Sequence, residues 1–126
     1  MYRVELTLNS DSSFKVKSKD YEFNVDTKGN GMTPPDVLLA SVVSCLGVYI
    51  RKYLEGAKIN TGAFAITAEA DFSEAPPYRF QEIKVMIDLK NISLDEKRKQ
   101  ALLVFIKNCP VHNTLKANPE VNIQIQ

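Results

Sequence analysis

The chain has 126 residues, of which 44% are hydrophobic and 25% charged, and its formal net charge is +1. That length makes one domain, residues 1–126, and the apolar fraction excludes a disordered chain. The balance of cations and anions excludes the basic footprint of a nucleic-acid binder, so no nucleic acid is expected as a partner.

Lys97–Lys99 lie beside Asp95 and Glu96 on a predicted helix and read as a solvated, charge-laced face. A chain this short buries only about two-thirds of its unfolded surface, which favours dimerisation. Met1–Leu6 shows no basic stretch leading into an apolar run, so no secretory leader is expected. The longest apolar segment, Val37–Ile50, is interrupted by Ser41, Ser44 and Gly47. It falls short of the roughly 20 residues that span a bilayer, so no membrane partner is expected. The expected location is cytoplasmic, where thiols stay reduced.

The first third alternates apolar and polar residues with a period of two, the mark of half-buried strands. Val4, Leu6 and Leu8, then Phe14 and Val16, then Tyr21, Phe23 and Val25 carry the pattern. Asn9–Ser13 and Ser18–Asp20 are turn material, so three strands form a meander. From Gly29 the pattern breaks and a helix opens. Thr33 reads as its N-cap, Pro34 and Pro35 fill the first turn, and Asp36 completes a capping box. Apolar residues then run nearly all the way round from Val37 to Leu54, which predicts a helix buried on most faces, with Gly56 as its stop.

Ala63–Phe72 and Ile83–Leu89 are predicted strands joined by a loop through Pro76-Pro77-Tyr78. Ser93 and Glu96 read as a second capping box before the stripe Ala101, Leu102, Phe105 and Ile106. Cys109-Pro110 then opens a short helix. Val121–Ile125 alternates again and reads as a closing strand. The predicted order is βββαββααβ, an α+β chain.

Cys45 and Cys109 are the only cysteines. A thiolate is the reactive form, and a helix N-terminus or a nearby cation lowers its pKa. On that ground Cys109 is the better nucleophile, since the free amides of the short helix point at its sulfur. Cys45, mid-helix among Val42, Val43, Leu46 and Val48, reads either as an inert core residue or as a thiol with a raised pKa. His112, the only histidine, is three residues after Cys109 and reads as a packing or first-turn residue. Too few further ligands accompany it for a metal site, so no metal is expected. Tyr49 and Tyr53 share one helix face and read as core.

Two segments, Gly31-Met-Thr-Pro-Pro-Asp-Val-Leu-Leu-Ala-Ser-Val-Val-Ser-Cys45 and Cys109-Pro-Val-His-Asn-Thr-Leu115, resemble the two signature segments of the OsmC-like family. That family includes the OsmC and organic hydroperoxide resistance proteins. The two cysteines stand 64 residues apart (109 − 45), and the predicted elements follow the family's order.

The resemblance implies an α+β, OsmC-like fold, with a long central helix packed in an intertwined homodimer. It implies a thiol peroxidase without a cofactor that reduces organic hydroperoxides. Cys45 would attack the peroxide and become a sulfenic acid, Cys109 would condense with it to a disulfide, and a dithiol would reduce that bond. The ranking of the two thiols is thereby reversed.

In the hydroperoxide resistance branch, a glutamate directly follows the proline that opens the helix and bonds an arginine that activates the thiolate. Here Pro35 occupies that place and the acid is Asp36, one residue later, an arrangement closer to the YhfA-type branch. Asp36 therefore has two readings, an activating acid or only a cap. Arg3 is the one arginine before Arg51 and reads as an outward strand residue. Lys15, Lys17 or Lys28 would substitute as a point charge without the planar fork of an arginine. Two other functions stay open. One is a non-enzymatic stress-related protein holding a small hydrophobic ligand at the dimer interface, and the other is a stoichiometric thiol redox sensor.

Overall fold

The computed structural model describes residues 1–126, in two compact units, Met1–Leu39 and Ala40–Gln126. The elements run β1 (Glu5–Leu8), β2 (Ser13–Ser18), β3 (Tyr21–Asp26), α1 (Pro34–Gly56), β4 (Ala65–Glu69), β5 (Lys84–Asp88), α2 (Glu96–Ile106) and α3 (Pro110–Ala117). The α+β class expected from the sequence is the class observed.

In the N-terminal unit β1, β2 and β3 form the expected antiparallel meander. The register sets Leu6 opposite Val16 and Val16 opposite Phe23. The next row on the same face is Leu8, Phe14 and Val25. The β2–β3 turn passes through Lys19 in the left-handed region, at φ 55°. Period-two alternation thus collects the apolar residues on one face. Much of that face is exposed: Leu6, Leu8 and Phe23 retain 58%, 69% and 47% of their surface.

Helix α1 opens with the predicted capping box. The Thr33 N–H and hydroxyl both donate to Asp36 Oδ2, at 2.9 and 2.8 Å, and the Asp36 N–H donates back to Thr33 Oγ1 at 3.4 Å. The helix ends at Gly56 as expected, but Lys58 makes the left-handed turn, with φ 58°. The Ile59 N–H then donates to the Leu54 carbonyl at 2.8 Å.

In the C-terminal unit Val42, Leu46, Ile50 and Leu54 recur every four residues, one stripe of α1, and all are buried. Leu94, Leu102, Ile106 and Cys109 close the same core. The antiparallel β4–β5 pair sets Ile66 against Ile87 and Ala68 against Val85. Ile66, Val85 and Ile87 pack on the core. The connection between β4 and β5 is pinned by the stacked rings of Phe72 and Phe80, 4.8 Å apart.

Four expectations change. Helix α1 has 23 residues and reaches a mean hydropathy of 1.5 in its most apolar window, so length and composition alone do not exclude a membrane span. It is the core helix of this unit, but it buries one stripe and not most of its faces as expected: Leu38 and Val48 stay 38% exposed. The N-cap of α2 is Asp95, not Ser93: its side chain accepts from the Arg98 N–H at 2.8 Å. Finally, Val121–Ile125 has no strand structure. A strand needs a neighbour for its backbone groups, and Val121, Ile123 and Ile125 stay 78%, 86% and 99% exposed.

Candidate thiol site

Cys109 ends the turn after α2 and is the N-cap of α3, fully buried. The proline at the next position starts the helix without needing an amide partner. The His112 N–H donates to Cys109 Sγ at 3.5 Å, and the Asn113 N–H donates to the Cys109 carbonyl at 3.0 Å. The sulfur thus takes the role that an N-cap oxygen usually plays.

Cys45 lies mid-way along α1, half-buried at the edge of the core. The Cys109 side chain is the neighbour that acts on it as a hydrogen-bonding group, so the two thiols that lie 64 residues apart in sequence (109 − 45) come together. Both are free thiols. The Cys45 pKa is pushed up, first by burial, then by the Cys109 side chain, since both favour the uncharged form. The Val111 backbone N–H bonded to the sulfur and the charge of Lys52 pull the other way and do not prevail.

Lys52 and the Val111 amide are the two contributors that sequence reading missed. The signal for Lys52 was its place two turns after Cys45 on the same helix. Its Nζ lies 4.9 Å from the Tyr49 ring centre, so the aromatic face steadies the ammonium. Tyr49 and Tyr53 meet Phe105 at 5.9 and 5.8 Å between ring centres, the core role expected of them. The Tyr53 hydroxyl also donates to the Arg98 carbonyl at 3.2 Å.

Asp36 is exposed, and its bonds from Thr33 hold its carboxyl below the usual range. Those bonds are the capping box itself. Arg3 is outward, paired with Glu5 at 2.6 Å, and Lys28 approaches Asp11 at 3.8 Å.

Residues 27–124 match the family model described as OsmC-like protein. The chain belongs to the OsmC-like family. A hydroperoxide reductase from Mycoplasma genitalium is 24% identical over 98% of this chain and 94% of its own length. The crystal structure of an OsmC-like protein from Mycoplasma pneumoniae superposes with a TM-score of 0.79 at 20% identity, covering 100% of this chain and 96% of that one. The organic hydroperoxide resistance protein OhrB of Bacillus subtilis gives a TM-score of 0.68 at 15% identity, over 94% and 92% of the two chains. At such identities the two structures support the OsmC-like fold.

Proposed function

We propose that this OsmC-like chain is a cytoplasmic thiol peroxidase that reduces organic hydroperoxides, akin to the YhfA-type branch. The observation that carries the reading is that the Cys109 side chain neighbours the Cys45 thiol closely enough to act on it. The hydroperoxide reductase among its relatives points the same way.

The Cys45 thiolate attacks the outer peroxide oxygen and the O–O bond breaks. The alkoxide leaves with a proton as an alcohol, and Cys45 becomes a sulfenic acid. Cys109 then attacks the Cys45 sulfur and expels the oxygen as water, leaving a disulfide. A dithiol supplies two electrons and two protons to restore both thiols. The Val111 N–H and Lys52 are the groups in place to stabilise the thiolate.

The working unit is a homodimer. The exposed Leu6, Leu8 and Phe23 face and the alternating Val121–Ile125 tail present apolar surface suited to a second copy. Asp36 acts as a cap of α1, the role its two bonds from Thr33 support.

Stopped-flow mixing of the reduced protein with cumene hydroperoxide tests the proposal. Wild type should consume peroxide through repeated turnovers with dithiol present, and Cys45→Ser should not. Equal consumption by Cys45→Ser would end it. The raised Cys45 pKa favours one second reading, a redox sensor that forms the same disulfide once. Consumption that stops at one peroxide per chain, with dithiol in excess, would select the sensor.

A further inference from the structure

The C-terminal unit carries an apolar cleft of about 270 Å³ between β5 and α2. Ile83, Val85 and Ile87 line one side, Leu103 and Ile106 the other, and Leu46 the base. At about 30 Å³ per heavy atom, taking water's share of liquid volume as the guide, it holds about nine atoms. A second groove of about 430 Å³ shares Ile87 and Leu103 with it.

The polar groups of the first cleft are few and of one kind. Lys107 and His112 are its only polar lining residues, and no carboxylate lines it. The other lysines beside these grooves are neutralised: Lys90 pairs with Asp88 at 3.3 Å and Lys99 with Glu96 at 3.8 Å. Lys107 has no such partner among the ion pairs. His112 Nδ1 is buried with no hydrogen-bond partner. The ring lines the cleft and brings an N–H donor to it.

We propose that this cleft binds a carboxylate carried on an apolar tail. The tail fills the Leu46, Val85 and Leu103 slot, and the carboxylate takes the charge of Lys107 with a ring N–H of His112. Complementarity selects the occupant: an apolar slot flanked by an unpaired cation and a ring N–H donor suits an anion with a hydrocarbon body. A cationic amphiphile would meet Lys107 unfavourably, and a neutral one would forgo the charge-assisted bond. The reading does not depend on peroxide chemistry, because a saturated carboxylate has no bond for Cys45 to attack.

Octanoate is the probe, titrated into the full-length reduced protein. His112 is the single histidine, so its Hε1 proton gives one assignable NMR signal. That signal should shift saturably with octanoate. Octanol and octylamine should bind at least about tenfold more weakly, the scale of one charge-assisted contact. Lys107→Glu should weaken octanoate by about tenfold and strengthen octylamine, and its exposed site makes misfolding no concern. The proposal is overturned if octanoate leaves the His112 signal unmoved at millimolar concentration. It is equally overturned if wild type binds octanol and octylamine as well as octanoate, or if Lys107→Glu changes neither affinity. All these readouts stand whether or not Cys45 reduces peroxides.

Discussion

The two units of this chain are built from equally clear sequence patterns but end in opposite states of burial. In the C-terminal unit the four-residue stripe of α1 meets Leu94, Leu102 and Ile106, and Ile50 and Leu54 are fully covered. In the N-terminal unit the period-two face of β1–β3 is as regular, yet all four residues of β1 are exposed and only Val25 and Asp26 are buried. Periodicity tells which residues want covering; it does not tell what covers them. Unit Ala40–Gln126 should therefore answer to the volume of its own core, and unit Met1–Leu39 to the concentration of the protein.

The sharpest way to break this contrast is to empty the core. Leu54→Ala should cost about 2–5 kcal/mol, the range for truncating a fully buried leucine. Thermal unfolding should show the loss at every protein concentration. A cost below about 1 kcal/mol would mean that this side chain does not hold the core as its burial implies.

An effect of similar size is expected on the exposed sheet. If a second copy buries Leu6 and Leu8, each contributes about 1.5–3 kcal/mol to association. The double variant Leu6→Asp, Leu8→Asp should then sediment as a monomer where wild type is a dimer. It should also lose the rise of unfolding midpoint with concentration that mass action gives wild type. A double variant that stays dimeric would place the interface elsewhere.

Smaller effects are expected at two helix caps, one in each unit. Thr33→Ala and Asp95→Ala should each lower stability by about 1 kcal/mol. Both would be read from urea unfolding midpoints, and no change for Asp95→Ala would deny its bond to Arg98 any net value. These caps also show what the sequence made legible. The Thr33–Asp36 box was found because both partners lie within one turn, where spacing alone fixes contact. The second cap was placed two residues early because Ser93 and Asp95 are both good cap residues, and only the path of the chain chooses between them. Val121–Ile125 had the alternation of a strand but no partner within the chain. At the thiol site, the cysteines and the helix that opens at Pro110 were legible. The Val111 amide was not, because no sequence pattern reports a backbone N–H aimed at a sulfur from a distant segment.

The smallest effect tests what acts on Cys45. Burial and the Cys109 side chain favour its thiol form in the folded chain, so its pKa lies above that of a free cysteine. The sign follows: the stability tied to that preference is complete below about pH 9 and declines as pH rises through the folded pKa. Peroxide consumption has the opposite trend, climbing up to tenfold per pH unit below that pKa as thiolate forms. Lys52 opposes the shift from an exposed position, where such a charge contributes about 0.2–1 kcal/mol. Lys52→Gln should therefore move the Cys45 titration further up and slow peroxide consumption at neutral pH by a few-fold at most. Because Cys109 stays beside Cys45 in that variant, disulfide yield per peroxide should be unchanged. A Lys52→Gln protein that reacts at the wild-type rate, with an unmoved thiol titration, would leave the Val111 N–H as the only group in place to favour the thiolate.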